Sequence, residues 1–418
     1  MNKYKTIVIG GGPAGMMAGI SAALKAGSGK GIALFEANDA LGRKLLLTGK
    51  GRCNITNTCS LDEFLEKFDK NGQFLRGCFN SFFVSELIDF FNARGLKMKH
   101  ERQGRVFPVT DSAQSVVNVL VRSLKENGVH VYVNSSVSGI VIDGGCVKGV
   151  VLSSGEHILA YHVIIAVGGA SYPQTGSKGD GARMATEIGH SVEPFVPGLV
   201  PLQTQENLVK ELQGLVLKNV KVVFKIGSKK IETPIGEVLF THFGISGPLI
   251  LDASVRLCKM AVGEKNFTAA IDLKPGLTQE QLDKKLQAEF REHGTVRCKN
   301  YFKTLLPKKL IDVFLKRLNI KGEVELNQIS AVERRKMVEQ FKKFTLTVTK
   351  SLPLSQAMVT QGGVSLKEVN PKTMESRKVK GLYFCGEVLD LAAASGGFNL
   401  QAAFSTGFVA GESAAKGH

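Results

Sequence analysis

Gly10, Gly12 and Gly15 stand in G-x-G-x-x-G register, directly after the apolar run YKTIVI (4–9) and directly before MMAGISAALKAG (16–27), which has helical spacing. Strand, glycines and helix in that order restrict the fold more than any other feature of the chain. The first glycine makes a tight turn, the second lets backbone N–H groups reach a pyrophosphate, and the third lets helix and strand pack closely. The positive end of the helix dipole then faces the phosphates. GIALFEA (31–37) reads as the next strand and completes a βαβ unit, ending in Glu36. A carboxylate there accepts hydrogen bonds from a ribose 2′-OH and repels a 2′-phosphate. The sequence therefore predicts a bound dinucleotide.

The far end repeats the arrangement. GLYFCGEVLD (381–390) runs a strand into Gly386 and Glu387, and GGFNLQAAFSTGFVAG (396–411) opens a helix after two glycines. The first loop alone suits NAD or FAD. An NAD dehydrogenase has no use for a second junction, whereas FAD needs one for its ribityl and flavin half. Gly386 allows close approach, and Glu387 can accept hydrogen bonds from ribityl hydroxyls. A helix starting near Phe398, Asn399, Leu400 and Gln401 aims backbone N–H groups at the N1/C2=O edge of a flavin, which gains negative charge on reduction. One FAD, held at both ends of the sequence, is the expected cofactor.

Between the junctions the texture changes twice. Amphipathic helices (FFVSELIDFFNARG, DSAQSVVNVLVRSLKENG) and a run of strands follow the βαβ unit, while 41–57 is too rich in Gly, Asn and charge to read as a buried element. From about 195, VKVVFKIGSKKIETPIGEVLFTH (220–242) and NFTAAIDL (266–273) alternate as antiparallel strands do. LTQEQLDKKLQAEF and SAVERRKMVEQF then carry capping boxes, Thr278 with Gln281 and Ser330 with Glu333. The expected organisation is α/β: a first part of the nucleotide-binding domain (1–194), an inserted β domain (195–274), an inserted helical domain (275–350) and the second part of the nucleotide-binding domain (351–418). At 418 residues there is room for two or three cores.

Composition excludes several classes. No apolar run approaches the roughly 18 residues of a membrane span, and the glycines at 10–12 interrupt what would otherwise imitate an export signal. The seven cysteines are an odd number, widely spaced and without C-x-x-C, so neither a disulfide framework nor a metal site is expected, and a reduced cytoplasmic setting is. The net charge of +17 concentrates in 200–350, with 27 Lys/Arg against 16 Asp/Glu. A solvated basic face explains this most simply; attraction of an anionic substrate or of nucleic acid are the functional alternatives.

The chain resembles the bacterial HI0933-like flavoproteins, which are similar in their nucleotide-binding half to fumarate reductase flavoproteins. The resemblance rests on GGGPAG, GRKLLLTGKGRCNITN, GRVFPVTD, VGGASYPQTGSKGDG, GEVLFTHFGISGP, MVTQGGV and NPKTMESRKVKGLYFCGEVLD with GGFNLQAAFSTG, spread over nearly the whole length. It implies FAD on a discontinuous Rossmann-type domain with an antiparallel β-barrel-like insertion and a small helical one. It places Gly10, Gly12, Pro13, Ala14 and Gly15 at the pyrophosphate and Glu36 with Ala37 at the adenosine ribose. Arg43 and Lys44 would flank the phosphates, and Cys53 and Asn54 would lie near the flavin. Val137 would meet the adenine edge, and Ala166, Gly168 and Gly169 would close the crossover strand beneath the cofactor. The family includes aminoacetone oxidase-like enzymes and reductases of dehydrogenated bile acid intermediates.

A flavin carries hydride at N5, so no nucleophile array is required and no catalytic side chain stands out. His242, Tyr172, Arg105 and Thr360 are polar residues in motif loops that could touch substrate or simply bond within their loops. No second dinucleotide loop is present, so NAD(P)H would act as a transient donor, or oxygen as acceptor. The expectation is an FAD-dependent oxidoreductase of a small organic molecule, reducing an activated C=C bond or oxidising an amine or aminoketone. The alternative is an FAD-dependent RNA-modifying or nucleic-acid-binding flavoprotein; the basic segments KKL, ERRK and FKKF lack interleaved aromatics beyond Phe, and nucleic acid is not the expected partner.

Overall fold

The computed structural model describes residues 3–416. The chain forms two compact units, with breaks at 198/199 and 353/354. The first unit is built on a seven-stranded sheet. Its central strand, Lys3–Ile9, buries Ile7, Val8 and Ile9, as a parallel strand covered on both faces requires. Ile32–Phe35 pairs parallel on one side of it and carries His130–Tyr132 beyond. His157–Ile165 pairs parallel on the other side.

The strand His157–Ile165 brings the two ends of the sequence together. Its first half pairs with Cys146–Leu152, which forms a hairpin with Val137–Asp143. Its second half, Val163–Ile165, takes Leu382–Phe384 as a parallel neighbour. The chain therefore leaves the carboxyl edge of the sheet three times in adjacent positions, after Ile9, Ile165 and Phe384. The ladder runs on into the loops, with Ala166 N–H bonding Ile9 O at 2.8 Å and Cys385 N–H bonding Ile165 O at 3.1 Å.

Glycines set how the helices pack. The opening helix Pro13–Ala26 has Pro in its first turn and stops at Gly27, in the left-handed region with φ 70°. The closing helix Phe398–Lys416 lies directly on it. A Cβ at Gly407 would stand 2.2 Å from Ala14 O, and one at Gly411 would stand 2.1 Å from Ala18 O. Backbone touches backbone there, and no side chain fits between.

The second unit is an antiparallel barrel with helices. Val216–Ile226, Gly236–Phe240, Gly244–Ser246, Leu202–Thr204, Phe344–Ser351 and Phe267–Asp272 each pair with the next, and the last returns to the first. Both capping boxes form, at the starts of helices Gln279–Glu292 and Ala331–Lys342. The strand Phe344–Ser351 follows the helices in sequence yet returns to the barrel. Side chains on both sides of the 274/275 boundary drawn from the sequence consequently share one core, among them Phe224, Ile271, Phe314, Phe341 and Phe344.

One reading is corrected. The segment 41–57 buries Leu41, Leu45, Cys53, Ile55, Thr56 and Asn57. Many of its polar groups find partners within and beyond the segment: Thr48 Oγ1 donates to Leu45 O at 2.6 Å, Ile55 N–H bonds Val106 O at 2.9 Å, and Asn57 Nδ2 donates to Gly396 O at 3.1 Å. No helix among the described residues is long and apolar enough to cross a membrane.

Candidate functional site

The first junction is a turn that only glycine permits. Gly10 has φ 101°, and a Cβ there would meet Ala166 O at 2.7 Å. A Cβ on Gly15 would lie 1.9 Å from Gly10 O, which is the close helix–strand contact expected of the third glycine. Gly12 differs, because a Cβ there would meet nothing within 4 Å. Gly12 is also the N-cap of the opening helix and supplies no side-chain hydrogen bond. Unbonded first-turn amides beside open space form a ready anion site.

Glu36 is buried and serves the loop itself. Its Oε2 accepts from Gly11 N–H at 2.7 Å; its Oε1 accepts from Asn38 N–H at 2.9 Å and from Asn38 Nδ2 at 2.6 Å. These bonds fix the carboxylate while leaving it on the wall of the cleft.

The second junction lies against the first. A Cβ on Gly386 would stand 2.7 Å from Ala14 Cβ, and Thr406 of the closing helix accepts the Gly386 amide at 2.9 Å. Glu387 carries a network. Lys44 Nζ donates to its Oε2 at 2.5 Å and to Ser171 Oγ at 2.6 Å, while Oε1 accepts Thr360 N–H at 2.6 Å and Ser171 Oγ at 3.2 Å. Arg43 reaches Asp39 at 2.5 Å and Asn38 Oδ1 at 3.2 Å.

Most residues expected at the cofactor come together. Gly10, Gly12, Pro13, Ala14, Glu36, Ala37, Arg43, Lys44, Val137, Ala166, Gly168, Gly386, Glu387, Asn399 and Leu400 line one cleft, open to solvent. Gly15, Gly169, Phe398 and Gln401 are outside that lining. A Cβ on Gly169 would meet Thr360 Oγ1 at 2.3 Å. Phe398 packs edge-on against Phe64, and Gln401 Nε2 bonds Ser405 Oγ at 2.9 Å. Cys53 and Asn54 are not in the lining either. Cys53 is buried and its thiol is pushed up to about 12 by that burial, so it stays protonated. Asn54 Oδ1 accepts Val106 N–H at 3.2 Å.

Lining residues missed in the sequence include Asn38, Thr48, Ser135, Ser136, Asp180 and Met358. Ser135 and Ser136 directly precede Val137, and Asp180 falls within GSKGDG, so adjacency to matched motifs was the available signal. Of the polar substrate candidates, Thr360 accepts the amides of Ala170 and Ser171 at 2.8 and 3.0 Å, and Arg105 Nε donates to Arg102 O at 3.1 Å. Tyr172 sits in the left-handed region with φ 51° and is bonded by Thr175 Oγ1 at 2.7 Å. His242 is exposed on the second unit.

The sequence profile of the HI0933-like protein Rossmann domain matches residues 4–413. The chain belongs to the HI0933-like family. Over 413 residues it is 31% identical to a 3-dehydro-bile acid delta(4,6)-reductase of Clostridium scindens, covering 98% of each chain. Over 410 residues it is 31% identical to a ribosomal RNA dihydrouridine synthase of Escherichia coli, covering 97% of this chain and 96% of the other. Among solved structures, the open conformation of a flavocytochrome c3 fumarate reductase has a TM-score of 0.53 at 17% identity, covering 99% of this chain and 78% of its own. That last likeness is one of fold.

This HI0933-like chain is a flavin-dependent oxidoreductase. Its cleft suits such a role through backbone rather than reactive side chains: glycines where groups must approach closely, and a buried acid beside the first loop.

Proposed function

We propose that this chain is an FAD-dependent reductase that saturates a C=C bond conjugated to a carbonyl group. The observation that carries the cofactor assignment is the meeting of both glycine junctions in one cleft. The residues fit FAD. Open space faces Gly12, Glu36 stands buried near the first loop, and Gln401 N–H bonds Gly397 O, leaving the amides of 398–400 ahead of it at the start of the closing helix.

In this reading the N–H groups of Gly12, Ala14 and Gly15 hold the pyrophosphate, with Gly10 making the turn, Pro13 setting the start of the helix, and Arg43 and Lys44 beside it. Glu36 and Ala37 take the adenosine ribose, and Val137 meets the adenine. Ala166, Gly168 and Gly169 support the cofactor from beneath, and Gly386 and Glu387 meet the ribityl chain. The start of the closing helix, Phe398 to Gln401, faces the flavin ring, its dipole favouring negative charge there. Cys53, buried, and Asn54, half-buried, support the loop behind the ring. When bound, FAD supplies hydride at N5; the chain binds it, orients it and excludes water.

The choice of C=C reduction over amine oxidation is supported by the names of two relatives. A delta(4,6)-reductase of a 3-oxo steroid and an enzyme forming dihydrouridine both saturate a C=C bond conjugated to a carbonyl. Anaerobic titration tests it. NADH or NADPH should bleach the flavin, and an enone or a uridine-containing substrate should restore its colour. Bleaching by amines and not by nicotinamides would overturn the reading.

One observation favours RNA as the carrier of the reducible group. The unit 199–353 holds 27 Lys/Arg against 16 Asp/Glu, and an RNA-acting relative shares nearly the whole length. Reoxidation of the reduced flavin by ribosomal RNA transcript, with binding that weakens steeply as salt rises, would support it. Reoxidation by an unsaturated 3-oxosteroid alone would exclude it.

A further inference from the structure

Lys44 and Glu387 lie 343 residues apart in sequence, yet pair at 2.5 Å on the wall of the cleft where the two junctions meet. Ser171, buried, bridges them, and the Thr360 amide holds the second carboxylate oxygen. Four stretches of the first unit are tied at this point: the loop after Ile32–Phe35, the glycine loop after His157–Ile165, the strand Val359–Val364 and the second junction. The same ammonium is one of two cations in the cleft lining. The other, Arg43, is engaged by Asp39 and Asn38. Against them stand Glu36, Asp180 and Glu387, so with Lys44 bound to Glu387 the lining has no surplus positive charge to offer a phosphate anion.

We propose that Glu387 competes with the anionic part of the cofactor for Lys44, so that the pair steadies the junctions at the expense of nucleotide affinity. This rests on the FAD reading above. A carboxylate beside a bound pyrophosphate repels it and also holds back the nearest cation. Removing the carboxylate's charge while keeping its shape must therefore move stability and nucleotide binding in opposite directions. A purely structural tie would move both downward.

ADP is the suitable probe, because it carries the pyrophosphate without the ribityl chain that Glu387 could itself bind. Titration calorimetry and the thermal midpoint would be measured on wild type, Glu387→Gln, Lys44→Met and the double variant. The proposal expects Glu387→Gln to lower the midpoint while tightening ADP by about threefold, the scale of a partly exposed ion pair. Lys44→Met should weaken ADP by a similar factor. In the double variant the gain from Gln should vanish, because the two residues act through one contact. Weaker or unchanged ADP binding in Glu387→Gln, or an equal gain in the double variant, overturns it. Should Glu387→Gln not fold, Glu387→Ala, which also removes the charge, must still tighten ADP; unchanged or weaker binding then overturns it. Wild type that binds neither ADP nor FAD defeats the cofactor reading instead, whereas wild type that binds both without the opposed signs defeats only the competition.

Discussion

A methyl group added at Gly12 would meet nothing within 4 Å, and the residue's φ of −76° is open to any L-residue. At Gly10 the same methyl would strike Ala166 O at 2.7 Å with φ at 101°. The two glycines therefore separate binding from folding. Gly12→Ala should cost no more than about 1 kcal/mol of stability and weaken FAD by at least about tenfold, since the methyl occupies space a phosphate needs. Gly10→Ala should lose about 1–3 kcal/mol, seen as a lower urea midpoint with or without FAD. Equal effects of the two on stability would contradict the account. At His190, burial pushes the imidazole below its usual 6.5, while Nε2 stays 2.7 Å from Ser376 Oγ. The unfolded chain then takes up a proton that the folded chain refuses, so stability present above the unfolded value is lost as pH falls through it. Unfolding free energy should drop between about pH 7.5 and about pH 5.5 more in wild type than in His190→Gln. What the sequence revealed at this scale was spacing: the tight turn at Gly10 and the close packing at Gly15 were legible because they follow from local order. The pairing of Lys44 with Glu387 was not, because nothing in either motif says what the other end of the chain brings near it.

Glycine has a different task in the helices. Gly407 and Gly411 face Ala14 O and Ala18 O, so the closing helix settles on the opening one with no side chain between them. Gly407→Val should hold the helices apart and carry the second junction away from the first. Stability should fall by about 1–3 kcal/mol, as overpacking does, and FAD affinity should fall with it, read by urea unfolding and flavin fluorescence on one preparation. Unchanged FAD affinity in a destabilised Gly407→Val would separate helix packing from the site. The βαβ opening, the antiparallel strands of 220–242 and both capped helices were legible, since periodicity and caps are local signals. The return of Phe344–Ser351 to the barrel was not, because register between strands far apart in sequence leaves no trace in spacing. The burial of 41–57 was missed for a related reason: its polar residues bond partners far away in sequence, as Asn57 does with Gly396 O and Asn54 with Val106 N–H, and composition shows polarity but not partners.

Two units divide the labour of the whole molecule. The first carries both junctions and the cleft, and its core is continuous from Tyr4 to Ala414. The second is a closed barrel with helices and most of the net positive charge. In the proposed reading the cofactor lies on a sheet assembled from both ends of the sequence. The most direct test of the account is the visible spectrum of the purified chain after incubation with FAD and removal of unbound cofactor. A flavin band equivalent to one FAD per chain is expected, reduced to a trace in Gly12→Ala of unchanged thermal midpoint. A colourless wild-type protein that takes up no FAD, or a Gly12→Ala protein as yellow as wild type, would contradict it.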